Sequence, residues 1–203
     1  CDWQQYGHGR IIHTRPDLNG PAWQQFQKDY VLYHNLYGGV NVEAIKNIVE
    51  GGGHMAPTMD KLRRGIIPRG MSPGADIESG GAQYFFTRLR KSRRSKSNAG
   101  LVWRGQQAGR LDAISYDGDK FGKTNSEQYV LSNRKTTIEG MESAAEYGSN
   151  ETIFKDSLSI FDDLLYIVAA GEKSRLEIIA YLKTKMKKWP DGRKLEDVVV
   201  ESD

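Results

Sequence analysis

The sequence predicts an α+β protein, on three observations. Short apolar runs alternate with Gly-, Pro- and Asp-containing turns along the chain. Only a few stretches carry helical periodicity, and they flank those runs. No apolar run approaches the ~18 residues that a bilayer span needs. The 203 residues suit one domain. Residues 1–20 are polar and broken by Gly, Pro and Asn, so they read as an arm, with the domain proper over 21–203.

Taken in order, Pro21 opens a helix through Tyr30, with Trp23, Phe26 and Tyr30 at helical spacing. Val31 to His34 reads as a strand, and Tyr37-Gly38-Gly39 as a turn. Asn41 can cap a helix whose apolar face is Val42, Ile45, Ile48 and Val49, and Gly51-Gly52-Gly53 stops it. Residues 54–81 are rich in Gly, Pro and Met and predict a long irregular loop. Ala82–Thr87, Leu101–Trp103, Leu111–Tyr116, Thr152–Phe154 and Leu164–Val168 read as strands. Ser126–Met141 is ambiguous between helix and strand. Ser174–Lys187 is the clearest helix, with Leu176, Ile178, Ile179 and Leu182 inward and lysines in its last turns. Trp189-Pro190-Asp191-Gly192 is a turn, and Leu195–Val200 a closing strand.

Composition excludes several classes. An apolar fraction of 38% with 27% charged residues fits neither a disordered nor a membrane-embedded chain. Cys1 is the sole cysteine, which rules out an internal disulfide and multi-cysteine zinc sites, and suits a reducing cytosol. The chain opens on Cys1 rather than Met and reads as a piece of a longer protein. The net charge of +3 is mild, but residues 88–97 hold six cations and no acid. That run has three readings: a solvated flexible loop, a contact surface for an acidic protein, or a phosphate contact. Asp162-Asp163 and Asp117/Asp119 lack EF-hand spacing and read as turn carboxylates, so no metal is expected.

Three segments carry chemistry: Tyr33-His34-Asn35, Gly80-Gly81-Ala82-Gln83-Tyr84-Phe85-Phe86 and Asn150-Glu151-Thr152-Ile153-Phe154. Each places a His, Tyr or Glu at the edge of an apolar run. Cleaving a nicotinamide–ribose bond calls for these types. The leaving group is already cationic and needs no proton. A carboxylate stabilises the oxocarbenium-like transition state. A neutral imidazole fixes a ribose hydroxyl, and a flat aromatic stacks on nicotinamide.

In these segments the chain resembles ADP-ribosyltransferases of the His-Tyr-Glu class, which includes diphtheria-type toxins and poly-ADP-ribose polymerases. Leu32-Tyr33-His34-Asn35 is similar to that class's Tyr-His-Gly-Thr strand, with a helix and a glycine following at Ile45 to Gly51. The Gly80–Phe86 segment is similar to its Gly-x-Tyr-Phe strand, and Asn150–Phe154 to its Asn-Glu-x-x-Val strand. The resemblance covers residues 32–154 and implies a split two-sheet core with peripheral helices. It implies NAD as substrate, His34 on a ribose hydroxyl, the Asn35 backbone on the nicotinamide amide, and Tyr84 stacked on the ring. Gly81 and Phe85 would line the nucleotide, and Glu151 would be the catalytic carboxylate. Phe85, Tyr116 and Tyr129 are candidates for a second stacking aromatic. Asn35 stands where that class usually has glycine. Ser149, two residues before Glu151, replaces the Glu-x-Glu pair of the arginine-specific branch and argues against arginine as acceptor.

The expected activity is therefore transfer of ADP-ribose from NAD to a macromolecular acceptor, protein rather than nucleic acid. The resemblance implies a bacterial or phage effector or toxin, secreted or delivered, acting in a target-cell cytosol with no membrane partner. The alternatives are an NAD glycohydrolase with water as acceptor, or a noncatalytic nucleic-acid- or protein-binding module built on residues 88–97.

Overall fold

The computed structural model describes residues 18–36, 39–55, 57–63, 65, 83–91, 100–115, 130–132, 137–146, 150–155 and 158–202. The chain is α+β. Its strands are β1 (Tyr30–His34), β2 (His54–Met55), β3 (Phe85–Lys91), β4 (Leu101–Arg104), β5 (Ala113–Ser115), β6 (Val130–Ser132), β7 (Glu151–Phe154), β8 (Leu158–Ser159), β9 (Leu164–Ala169) and β10 (Val199–Glu201). The helices are α1 (Pro21–Asp29), α2 (Val42–Glu50), α3 (Thr58–Arg63), α4 (Ile138–Ala145), α5 (Glu172–Lys183) and the single turn α6 (Leu195–Val198). Eight strands form one mixed sheet in the order β10-β9-β4-β1-β3-β7-β5-β6, and β2 pairs with β8 separately. Only β9 and β10 run parallel among the named pairs; the rest are antiparallel.

Strand β3 changes partner along its length. Phe85, Phe86 and Thr87 pair with Phe154, Ile153 and Thr152 of β7. Arg88 to Lys91 pair with Tyr33 to Tyr30 of β1. The sheet is thus two strand groups joined through one strand, and β3 is the only described strand common to both.

The main core lies on one face of the sheet, under α1, α2, α4 and α5. Leu32, Leu89, Trp103, Phe154, Ile167, Ile45, Met141 and Ile178 meet there, all buried. Each such side chain contributes ~1.5–3 kcal/mol through removal of apolar area from water. Trp103 is buried without an orphaned donor, because its Nε1–H donates to the Ser159 carbonyl at 2.9 Å. A smaller cluster of Val31, Tyr33, Val102 and Val168 occupies the opposite face.

The predicted helices at Pro21 and Asn41 form with the predicted starts. Pro21 occupies the first turn of α1, and Asn41 Oδ1 accepts from Ala44 N–H at 2.9 Å to cap α2. Gly53 must be glycine, since a Cβ there would lie 2.4 Å from the Phe161 ring and its φ is +83°. The Trp189–Gly192 turn also forms, closed by Gly192 N–H donating to Trp189 O at 2.8 Å.

Other expectations are corrected. The strand predicted over Ala82–Thr87 begins at Phe85 and runs to Lys91, so the basic residues 88–91 belong to a strand rather than a flexible loop. The alternation Phe85, Thr87, Leu89 continues the buried face past the point where charge suggests a loop. The 54–81 segment includes β2 and α3, so it is not loop throughout; 66–82 lies outside the described residues. The ambiguous 126–141 stretch contains β6 and the start of α4, whose cap is Thr137. The strand expected over Leu111–Tyr116 starts at Ala113 and is described to Ser115, with Tyr116 outside the described residues. Leu195–Val200 splits into a helical turn and a strand.

The C-terminal helix starts and ends earlier than predicted, and Leu176 is 55% exposed rather than inward. Arg175 lies closer to the inward stripe, one turn before Ile178 and Ile179. Its guanidinium donates to the Val199 and Glu196 carbonyls, both at 2.8 Å. Apolar periodicity alone misses a cation recruited to finish the hydrogen bonds of the adjacent α6–β10 segment.

Candidate active site

The three expected site residues are distributed around the point where β3 changes partner. His34 is the last residue of β1 and is half-buried. Beyond it, Gly39 carries the chain against β9. A Cβ at Gly39 would lie 2.8 Å from the Ala170 backbone, and its φ is +86°. Val40 then bridges to Ala169. Asn35, directly after the histidine, is exposed.

The imidazole is held on two sides. Its Nδ1 lies 2.8 Å from the Phe86 carbonyl oxygen. A carbonyl only accepts, so Nδ1 carries a proton, and in the neutral ring Nε2 is then the acceptor nitrogen. The ring also lies 4.7 Å from the Phe85 ring, which in turn meets Trp103 edge-on at 5.9 Å. Phe85 is 4% exposed. Its ring backs the histidine.

Glu151 begins β7 and is half-buried, paired with Ser115 of β5. Its neighbours hold it to β3 through side chains. Thr87 and Thr152 share a hydroxyl–hydroxyl hydrogen bond of 2.5 Å in the interior. Asn150 is 0% exposed, and its carboxamide bonds both main-chain groups of Leu89.

The register puts His34 and Glu151 within one residue of each other along β3. Tyr33 pairs with Arg88, so His34 stands level with Thr87, which pairs with Thr152 on the other edge. Glu151 stands one residue further on, level with Arg88. Two strand spacings separate the β1 and β7 main chains, about 10 Å. The pleat sets Glu151 on the same face as Phe86 and Arg88, opposite Thr152. Tyr84 immediately precedes β3 and shares that parity. His34 reaches the same stretch from the strand edge, through Phe86. His34, level with Thr87 and with its ring on Phe85, takes the opposite parity, so residues 84–88 adjoin all three but set Tyr84 and Glu151 on one face and His34 on the other.

Tyr84 is half-buried. Burial raises its phenol above the ordinary value, and the nearby Asp112 carboxylate raises it further. The ring is therefore a neutral phenol at physiological pH. Asp112 is itself buried, with its N–H donating to the Ile153 carbonyl at 2.8 Å.

Several expectations fall on residues outside those described: Gly81, Tyr116, Tyr129, the Asp117/Asp119 turn and residues 92–97 of the basic run. Within the described part of that run, Arg90 stacks on the Tyr33 ring at 4.7 Å. Of the turn carboxylates, Asp163 accepts from Gln107 Nε2 at 2.9 Å. Among the described residues no three His, Cys, Asp or Glu side chains gather as a metal site, and no helix is long and apolar enough to cross a membrane.

Sequence reasoning missed Arg88, Thr87 and Asn150 as parts of the site. Arg88 was read only as a member of the basic run; the alternation of Phe85-Thr87-Leu89 against Phe86-Arg88-Arg90 is the signal that sets it on the Glu151 face. Comparison with protein-family models, curated proteins and solved structures finds no match to this chain.

Proposed function

We propose that this protein is an NAD-consuming mono-ADP-ribosyltransferase whose site is the β1–β3–β7 junction. The observation that carries the reading is that His34 and Glu151 flank β3 on opposite edges, one residue apart in register, with Nδ1 of the histidine on the Phe86 carbonyl. In this reading NAD is the substrate. Nε2 of His34 accepts a hydrogen bond from a ribose hydroxyl. Tyr84, kept neutral, stacks on nicotinamide, and the Asn35 main chain holds the nicotinamide amide. The C–N glycosidic bond breaks with its electron pair leaving on nicotinamide, which departs neutral. Glu151 stabilises the positive charge that develops on the ribose, and an acceptor nucleophile closes the bond to that carbon. The acceptor is a protein, and the setting is an effector acting in a target-cell cytosol.

The test is incubation with labelled NAD and a cell lysate, comparing wild type with Glu151→Ala. Removing one preorganised electrostatic stabiliser costs ~10²–10³ in kcat, so the variant should lose transfer while its melting transition stays in place. Full transfer by the folded variant would sink the assignment. Release of free ADP-ribose without any labelled macromolecule would assign water as the acceptor instead.

A further inference from the structure

The partner change in β3 leaves a gap. The β7 pairing ends at Thr87–Thr152, yet Leu89, two residues on, presents its N–H and C=O to the same edge. Leu89 is fully buried, so an unpaired peptide group there would be costly. Asn150 fills the gap with its side chain. Its Oδ1 accepts from Leu89 N–H at 2.9 Å, and its Nδ2 donates to the Leu89 carbonyl at 2.8 Å. A carboxamide carries one donor and one acceptor side by side, as a peptide group does, so it imitates the next rung of the ladder. Glutamine has the same head on a longer stem, and a carboxylate lacks the donor.

We infer that Asn150 is a positioning residue for Glu151. The clamp lies one residue before Glu151, and the Thr87–Thr152 hydroxyl bond lies one residue after it. Between them they fix the Glu151 main chain against the strand that also carries the His34 contact at Phe86. Strand β3 thus carries both the clamp beside Glu151 and the main-chain contact of the imidazole. The inference rests on the transferase reading, since it assigns Asn150 a role in placing that reading's carboxylate.

The experiment compares wild type, Asn150→Ala and Asn150→Asp. It measures nicotinamide release from NAD over a pH series, with kcat and KM separated, and amide hydrogen exchange at Leu89. A misplacement of ~1 Å costs ~10²-fold in rate. Asn150→Ala should therefore lose about that factor in kcat, with KM for NAD near the wild-type value and faster exchange at Leu89. In Asn150→Asp the protonated carboxyl can still donate to the Leu89 carbonyl, and the ionised one cannot. Its kcat should fall as pH rises through that new ionisation, along a limb absent from wild type. A purely structural role would not produce that limb, and the low-pH form of this variant keeps the test open if Asn150→Ala unfolds. Wild-type kcat in Asn150→Ala, with Leu89 exchange accelerated, would overturn the positioning role and leave Asn150 as a strand cap. Absence of nicotinamide release from wild type itself would overturn the transferase reading and this inference with it, whereas accelerated Leu89 exchange in the variants would still report the clamp.

Discussion

The β1–β3–β7 junction and the C-terminal unit β9–α5–α6–β10 both complete with side chains what main-chain pairing leaves open, but they use different chemistry. In the junction the bonds join residues 52 to 65 positions apart, and the donors and acceptors are His34, Thr87, Thr152 and Asn150, all able to be neutral. In the C-terminal unit the same work falls to arginines. Arg193 donates to the Leu164 and Leu165 carbonyls at 2.6 and 2.5 Å and to Asp191 at 2.8 Å; Arg175 reaches Val199 and Glu196. Arg193 and Arg175 reach the surface, where a guanidinium keeps part of its hydration. Buried positions such as Thr87, Thr152 and Asn150 would strip a charge of water at a cost no single carbonyl offsets. Location thus selects the residue type: cations where water remains, small neutral polar groups where it does not. It also separates scaffold from the proposed site, which lies at the junction.

The comparison can be broken first at the scaffold. Arg193→Met keeps the stem but removes three hydrogen bonds from a charged donor group, and should lower unfolding free energy by ~2–4 kcal/mol in chemical denaturation. Nicotinamide release per folded molecule should not change, since no bond of Arg193 reaches the junction. The same lock sets a pH dependence. Burial alone would raise the Asp191 carboxyl. The Arg193 main-chain and side-chain hydrogen bonds, its charge, and the Arg104 contact outweigh this and hold it below its ordinary value of 3.8. The folded state therefore binds that proton less tightly than the unfolded state. The stability it adds is complete above 3.8 and is lost as pH falls through the folded value. In Arg193→Met the acid limb of the stability profile should flatten; an unchanged limb would show that Asp191 gains little from the arginine.

A smaller effect should come from the junction. Thr87→Val takes the buried Thr152 hydroxyl's partner away, at ~1–3 kcal/mol, whereas Thr152→Val leaves the Thr87 hydroxyl the longer contact to the Thr152 carbonyl at 3.5 Å and should cost less. The double variant replaces both by methyls of the same shape and should cost less than the sum, with a coupling of ~0.5–3 kcal/mol in the cycle. Unlike the scaffold change, these substitutions should also slow nicotinamide release, because Thr152 adjoins Glu151. Strict additivity would remove the hydroxyl pair from the account of how β7 is held.

How far the sequence speaks differs between the two regions. The helix caps at Pro21 and Asn41, the Trp189 turn and the apolar strands at Val31, Leu101 and Leu164 are local signals, and they form as predicted. Arg175 was not legible, because nothing local says that a cation's reach toward Val199 outweighs the apolar claim of Leu176. In the junction, residue types at His34, Tyr84 and Glu151 suggest chemistry, but their places along β3 are a property of register between segments more than fifty positions apart. The true extent of β3 was hidden by its charge, since Arg88, Arg90 and Lys91 mimic a loop while Leu89 stays fully buried. Asn150 was legible only as a neighbour of Glu151; its clamp needs Leu89 to be known as its partner.

The smallest expected effect contrasts two tyrosines. Tyr33 is 2% exposed, and its hydroxyl is buried with no hydrogen-bond partner among the described residues. The hydroxyl loses its water on folding and gains nothing in return, while the ring packs with Val31, Val102 and Val168 and carries Arg90 on its face. Tyr33→Phe keeps the ring and its cation contact and removes only the stranded oxygen. It should leave stability unchanged or raise it by up to ~1 kcal/mol. Tyr181 supplies the control at the C-terminal unit, where its hydroxyl meets the Glu50 carboxylate at 3.5 Å near the surface and water can replace that contact. Tyr181→Phe should therefore change stability by less than ~0.5 kcal/mol. A loss above ~1 kcal/mol in Tyr33→Phe would mean that its hydroxyl has a partner in solution. Tyr33 lies directly across from Arg88 and beside His34, so that partner would stand next to the proposed site and would mark a polar contact the junction makes on its second face.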